Sequence, residues 1–283
     1  MPINLLKLYE CGYCTHPEKI VNPKKNLKSI KFPATVALLK HSQQGYMLFD
    51  TGYASHFLQE TKYFPYSIYS KLTPVYFLEN QSIKNQLEKD GINANEISTI
   101  ILSHFHGDHV GGLKDFPKAN ILTSKKAYTN ISGLTKVKAL TKGCLLELLP
   151  EDIEKRMSFF DESTFLQLDN RYGPFNKGID LFGDSSVIAI DLTGHAIGQT
   201  GLFVQLPSGK RVLLCADAVW VSEAYEKMIL PHKIAHLLIE DVNSYKENVK
   251  NLHELSKQAP EIDILPTHCE KSADLARRGY VYE

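Results

Sequence analysis

Ser103-His104-Phe105-His106-Gly107-Asp108-His109-Val110-Gly111-Gly112 places three imidazoles and a carboxylate within six residues. No packing role calls for metal ligands at that density. Directly upstream, Ile97–Leu102 is a short, apolar, β-branched run that reads as a buried strand. Ligands that begin where such a strand stops stand on a rigid element facing a loop, the setting in which a metal site can be preorganised. Gly107, Gly111 and Gly112 are expected to let the backbone turn tightly enough for the side chains to converge.

A metal site needs further ligands, and the rest of the chain offers them in similar settings. Ser186–Leu192 reads as a strand followed by Thr193-Gly194-His195. Arg211–Cys215 reads as another, followed by Ala216-Asp217, and Ile262–Leu265 as a third, followed by Pro266-Thr267-His268. An isolated His or Asp after a strand is usually a turn residue or a cap. Three in succession, downstream of a cluster short of partners, form a joint signal.

The order HxHxDH, then Gly-His, then Asp, then a late His resembles the metallo-β-lactamase superfamily of metallohydrolases. Asp50-Thr51-Gly52, closing the strand Tyr46–Phe49, is similar to that superfamily's early Asp motif. Within it the N-acyl-homoserine lactonase branch looks nearest: Leu5–Glu10 as a strand, Gly12-Tyr13-Cys14 as a loop, Asn22 or Asn26, then the strand Phe32–Lys40. The resemblance implies a four-layer αββα sandwich. It also implies that His104, His106 and His195 bind one metal ion, Asp108, His109 and His268 a second, and that Asp217 bridges the two. Imidazoles and carboxylates suit zinc, and equally iron, manganese or cobalt. A dinuclear centre of this kind would open a lactone or cleave a small carboxylic ester with a bridging hydroxide, Asp108 shuttling the proton to the leaving group. Asp50 would accept the free N–H of a ligand imidazole and fix its tautomer. The same ligands would serve a phosphotriester or thioester hydrolase. A non-catalytic metal-binding regulatory protein is the alternative from a different class.

Composition narrows the field. Lys plus Arg and Asp plus Glu both number 32 in 283 residues, so the formal net charge is zero. Capture of nucleic acid or of an anionic membrane is not expected from that balance. A small-molecule substrate is the expected partner, with a homodimer as an option. Five cysteines rule out a complete disulfide framework and fit a reducing cytoplasm, and Cys11-Gly-Tyr-Cys14 reads as a reduced, packed loop.

The site motifs run from Asp50 to His268 and must meet, so residues 1–283 are read as one domain with insertions at about 53–77 and 138–180. The helices expected are Gln81–Lys89 and Ser244–Gln258, the second with Ser244 as its N-cap. Tyr53–Phe77 is dense in aromatics. It reads either as a core or dimer contact or as an apolar lid, in which case Phe64 and Tyr66 would line the substrate pocket. Lactonases of the resembled branch often carry a Tyr three residues after the bridging Asp, where this chain has Trp220. Trp220 is expected either to wall the pocket or to point into the core.

Overall fold

Short β-branched runs separated by Gly- and Asn-bearing turns form two sheets in the computed structural model, which describes residues 2–283. The first half contributes β1 (Ile3–Pro17), β2 (Ser29–His41), β3 (Gly45–Phe49), β4 (Val75–Tyr76), β5 (Ile97–Ile101), β6 (Asn120–Thr123) and β7 (Met157–Phe159). The second contributes β8 (Leu166–Gln167), β9 (Lys177–Asp180), β10 (Val187–Asp191), β11 (Thr200–Gln205), β12 (Arg211–Ala216) and β13 (Asp263–Pro266). A last strand, β14 (Val281–Tyr282), crosses back to the first sheet. The spatial orders are β14-β1-β2-β3-β5-β6-β7, with β4 paired to β1, and β13-β12-β11-β10-β9-β8.

Strand alternation sets the layers. One face of the first sheet (Leu6, Leu39, Met47, Ile101) packs against one face of the second (Ala189, Leu202, Val212, Leu214) in a single apolar cluster. The alternate residues, such as Leu38, Leu48 and Ile100, or Phe203 and Leu213, point outward under helices. Helix Val242–Gln258 covers the second sheet with Tyr245, Val249, Leu252 and Leu255. The expected αββα sandwich is what the chain builds. Truncating a fully buried inter-sheet residue such as Leu39 would cost about 2–5 kcal/mol.

Strand direction decides where the loops gather. β3, β5 and β6 run parallel, as do β12 and β13. β10 and β12 are each antiparallel to β11 and so share a direction. The carboxyl ends of β3, β5, β10, β12 and β13 therefore open on one edge between the sheets.

Three local expectations change. Gly12-Tyr13-Cys14 is not a loop: β1 continues through it with a register shift between Glu10 and Tyr13, a bulge made possible by Gly12 at φ 79°. The long helix starts one turn earlier than expected, because Asp241, not Ser244, accepts from the N–H groups of Asn243 and Ser244. Gly107, Gly111 and Gly112 do not adopt positive φ; their use is closeness. A Cβ on Gly111 would stand 2.6 Å from the Gly52 carbonyl oxygen, so the ligand loop packs on the Asp50-Thr51-Gly52 turn only without it.

The two suspected insertions are structural. Residues 53–77 form helices Ser55–Glu60 and Ser67–Leu72 and then β4. Residues 138–180 include β7, β8 and β9, which extend both sheets. No helix among the described residues is long and apolar enough to cross a membrane.

Candidate metal centre and its cavity

All seven ligand candidates converge at the open edge, each placed by the strand before it. His104, His106, Asp108 and His109 come after β5, His195 after β10, Asp217 after β12 and His268 after β13. Their donor atoms fall into three overlapping groups: His104, His106 and His195; His104, His109 and Asp217; Asp108, His109 and His268. His195 Nε2 lies 2.9 Å from His106 Nδ1. The Asp217 carboxylate reaches both sides, with Oδ2 3.3 Å from His195 Nε2 and 3.0 Å from His268 Nε2, and Oδ1 3.4 Å from His109 Nε2. Asp108 Oδ2 stands 3.3 Å from His268 Nε2.

Whether such a cluster suits metal ions can be read from its unmet hydrogen bonds. His104 Nε2, His109 Nε2 and Asp217 Oδ1 are buried, point into the cluster and have no hydrogen-bond partner. Buried polar atoms usually have a partner, and three unpartnered ones aimed at one point suit a bound cation. The outer nitrogens of His104, His109 and His268, in contrast, are occupied, whereas His195 Nδ1 is buried without a partner. Asp50 Oδ2 accepts from His109 Nδ1 at 2.8 Å and from Ser103 Oγ at 2.7 Å, and its Oδ1 accepts from the Ser103 N–H at 2.8 Å. With its proton given to Asp50, Ser103 Oγ accepts from His104 Nδ1 at 2.9 Å. His268 Nδ1 donates to the Pro33 carbonyl at 2.8 Å. In all three rings Nδ1 is tied outside and Nε2 is turned inward, where it can bind a cation once it carries no proton; without a cation, His268 Nε2 donates to Asp217 Oδ2 at 3.0 Å.

Electrostatics separates the histidines. Burial, reinforced by the neighbouring imidazoles, holds His104 and His195 well below the usual histidine value, and burial lowers His106. Burial also works against a proton on His109 and His268, but carboxylates prevail: Asp50, Asp108 and Asp217 raise His109 well above the usual value, and Asp217 and Asp108 raise His268. Asp217 is the complement, held well below the usual carboxylate value against its burial by His268 and His109.

Two backbone positions here are unusual. Asp50 (φ 64°) and Ala216 (φ 47°) both sit in the left-handed region immediately beside the centre. Such strain survives only where surrounding contacts fix it. Asp50 tolerates the conformation as an Asp; Ala216 is held by the Thr267 N–H, which donates to its carbonyl at 3.1 Å.

The centre forms the floor of a cavity of about 680 Å³ with mostly apolar walls. Trp220 is one of those walls: its ring meets His195 edge-on at 5.5 Å between centroids. The same ring also packs in the core, 6.2 Å from Tyr245 between centroids. Phe64 and Tyr66 are not in the wall. The Phe64 ring turns outward, 77% exposed, while Tyr66 is buried with its hydroxyl accepting from the Leu146 N–H. The residues of that segment that do face the cavity are Tyr53, Ile68, Tyr69, Leu72 and Thr73. So 53–77 is part core and part cavity wall. Sequence reasoning also passed over Ser103, whose only signal was its place between the strand and the first ligand, and Tyr69, one aromatic among eight.

Known proteins share this architecture. The Metallo-beta-lactamase superfamily profile matches residues 30–251. An N-acyl homoserine lactonase, AttM, of Rhizobium radiobacter is 25% identical over 162 residues, 56% of this chain and 54% of its own length. A probable metallo-hydrolase of Mycobacterium tuberculosis is 23% identical over 256 residues, covering 85% of this chain and 76% of its own. This chain spans about half the length of the lactonases it matches. Among solved structures, an N-acyl homoserine lactone hydrolase with the product N-hexanoyl-L-homoserine at its metal centre superposes with a TM-score of 0.73 at 20% identity, over 97% of this chain and 96% of the other. At that identity the likeness speaks for the fold.

Proposed function

Because this chain belongs to the metallo-β-lactamase superfamily, we propose that it is a metal-dependent hydrolase that opens a lactone or cleaves a small carboxylic ester on two divalent ions. The observation that carries this reading is Asp217, whose carboxylate reaches His195 of one ligand set and both His109 and His268 of the other. A carboxylate shared between two sets of imidazoles is the arrangement a pair of ions would need. His104, His106 and His195 would hold one ion, Asp108, His109 and His268 the other, and zinc, iron, manganese or cobalt would fit the donors. Bound there, the ions would supply Lewis acidity and make water acidic enough to attack a carbonyl at neutral pH.

The chain's own groups do the rest. Asp108, reaching in beside His268, takes the proton of the attacking water and delivers it to the departing alkoxide oxygen. No Ser or Cys nucleophile is called for: Cys14 lines the cavity, but burial pushes its thiol far from ionisation. Tyr69 faces the cavity with Asp108 as the charge weighing most on it, and its hydroxyl donates to the oxygen on which charge builds. Trp220 and the aliphatic walls take up the apolar part of the substrate and exclude water. Residues 1–283 act as one domain in this reading, since both sheets supply ligands, and five unpaired cysteines accord with a reducing cytoplasm.

The test is a panel of lactones, aryl and alkyl esters, thioesters and phosphotriesters, each run with zinc, iron, manganese and cobalt. Turnover of lactones or esters that a chelator abolishes supports the reading. Metal binding without turnover of any substrate would refute it.

A further inference from the structure

The mouth of the cavity is framed by three short helical segments, Ser67–Leu72, Lys136–Leu140 and Lys233–Leu238. Their apolar side chains line the cavity and yet stand in water: Leu72 is 72% exposed, Val137 54%, Leu237 81% and Leu238 50%. The apolar surface continues past the rim onto Tyr63, Phe64 and Ile234, all more than half exposed. Large apolar side chains concentrated on one exposed face mark a contact surface rather than chance.

Lysines cluster on the same segments, with Glu60, Glu79, Glu147, Glu226 and Glu240 standing at their ends. Residues 61–78, 132–146 and 227–239 contain Lys62, Lys71, Lys136, Lys138, Lys142, Lys227 and Lys233 and no Asp or Glu, in a chain with equal numbers of each sign. Glu147, Glu240 and Glu223 pair with Lys136, Lys142 and Lys227. Lys62, Lys71, Lys138 and Lys233 have no carboxylate partner among the described residues. The expectation that a chain of zero net charge ignores anionic membranes holds only for charge spread evenly. A surface within a Debye length of about 8 Å feels only the charges that face it.

We propose that this face docks on an anionic lipid bilayer, with the cavity mouth seated at the interface. The exposed leucines and the neighbouring aromatics enter the acyl boundary while the lysines remain among the headgroups, the arrangement of an interfacial anchor. If the hydrolase reading holds, on which this step depends, an apolar-tailed substrate dissolved in the bilayer enters the cavity without crossing water. The competing occupant is a second copy of the chain. A symmetric contact through this face would set the same unpaired lysines against one another, so the lipid surface is the better complement.

The experiment is flotation of the full-length protein with vesicles of phosphatidylcholine alone or with added phosphatidylglycerol, reading binding and not turnover. At least tenfold stronger partitioning to the anionic vesicles is expected, weakening as salt rises. Both Lys62→Glu/Lys71→Glu/Lys138→Glu/Lys233→Glu and Tyr63→Ser/Phe64→Ser should lose at least tenfold while keeping the wild-type circular dichroism and melting temperature. Absent binding, equal binding to both vesicle types, or wild-type binding by folded variants of both kinds overturns the proposal. So does light scattering that shows a dimer which Tyr63→Ser/Phe64→Ser converts to monomer. A protein that docks but hydrolyses nothing would sink the hydrolase reading alone, and a hydrolase that ignores vesicles would sink only the docking.

Discussion

Replacing Asp50 by Asn isolates what the buried carboxylate does for the centre. Asn matches Asp in size and is among the few residues that accept a φ near 64°, so the turn survives. Its Oδ1 keeps the bond from the Ser103 N–H. Its NH₂ group, however, would face Ser103 Oγ and His109 Nδ1, both of which now donate to Oδ2 at 2.7 and 2.8 Å. His109 can meet that donor only by giving up the proton on Nδ1 and keeping the one on Nε2, the atom aimed into the centre 3.4 Å from Asp217 Oδ1. A protonated Nε2 cannot bind a cation. Loss of such a supporting partner costs about 10–100-fold in metal affinity, or about 1.4–2.7 kcal/mol. Competition titration against a chromophoric chelator measures it directly, alongside metal content after dialysis. His268, tied to the Pro33 carbonyl and not to Asp50, keeps its tautomer, so some metal binding should remain. Wild-type affinity in Asp50→Asn would refute the tautomer argument.

Other consequences are open to measurement. The purified protein should carry about two ions per chain, since seven donors exceed one tetrahedral set, and Asp217→Ala should lose most activity and at least one ion; full activity with a single ion counts against the dinuclear reading. His109 and His268, raised above the ordinary value of 6.5 by carboxylates that overcome burial, hold protons near neutrality in the metal-free protein, whereas His104 and His195 do not. Metal binding near pH 7 should therefore release protons and tighten as the pH rises; calorimetric heats independent of buffer ionisation enthalpy would contradict this. The stabilisation those two protonated rings give the metal-free fold is full below pH 6.5 and fades as the pH climbs through their raised values. Tyr69→Phe should lower kcat about 100–1,000-fold with little change in melting temperature. Trp220→Phe should keep most of kcat while Trp220→Ala raises KM, and a large kcat loss in Trp220→Phe would show that the indole N–H takes part in the transition state.

The ligands were legible because each belongs to a local pattern, an apolar run ending in His or Asp, and the layers were legible from strand alternation. What escaped depends on neighbours distant in sequence. Ser103 matters only because the Asp50 turn lies against it. The ligand-loop glycines signal turns in sequence, whereas their use is the close approach of Gly52 to Gly111. Phe64 and Tyr69 are both aromatics in one short stretch, yet Phe57, 5.4 Å away edge-on, orients Tyr69 inward while Phe64 finds nothing to pack on. Cap choice between Asp241 and Ser244 turned on a single turn of helix that periodicity cannot resolve.

The ligands are distributed unevenly in time as well as in space. A ribosome releases His104, His106 and His109 well before Asp217 and His268, which arrive only with β12 and β13. Until then a nascent chain can pair β1 to β7, all of the first sheet but its edge strand β14, yet it lacks the shared carboxylate and the last ring. Tight metal retention thus begins when the second sheet closes over the first, so a loaded centre reports that synthesis has run past β13. A prematurely terminated chain would surrender its metal to a chelator, a distinction useful in sorting finished molecules from fragments.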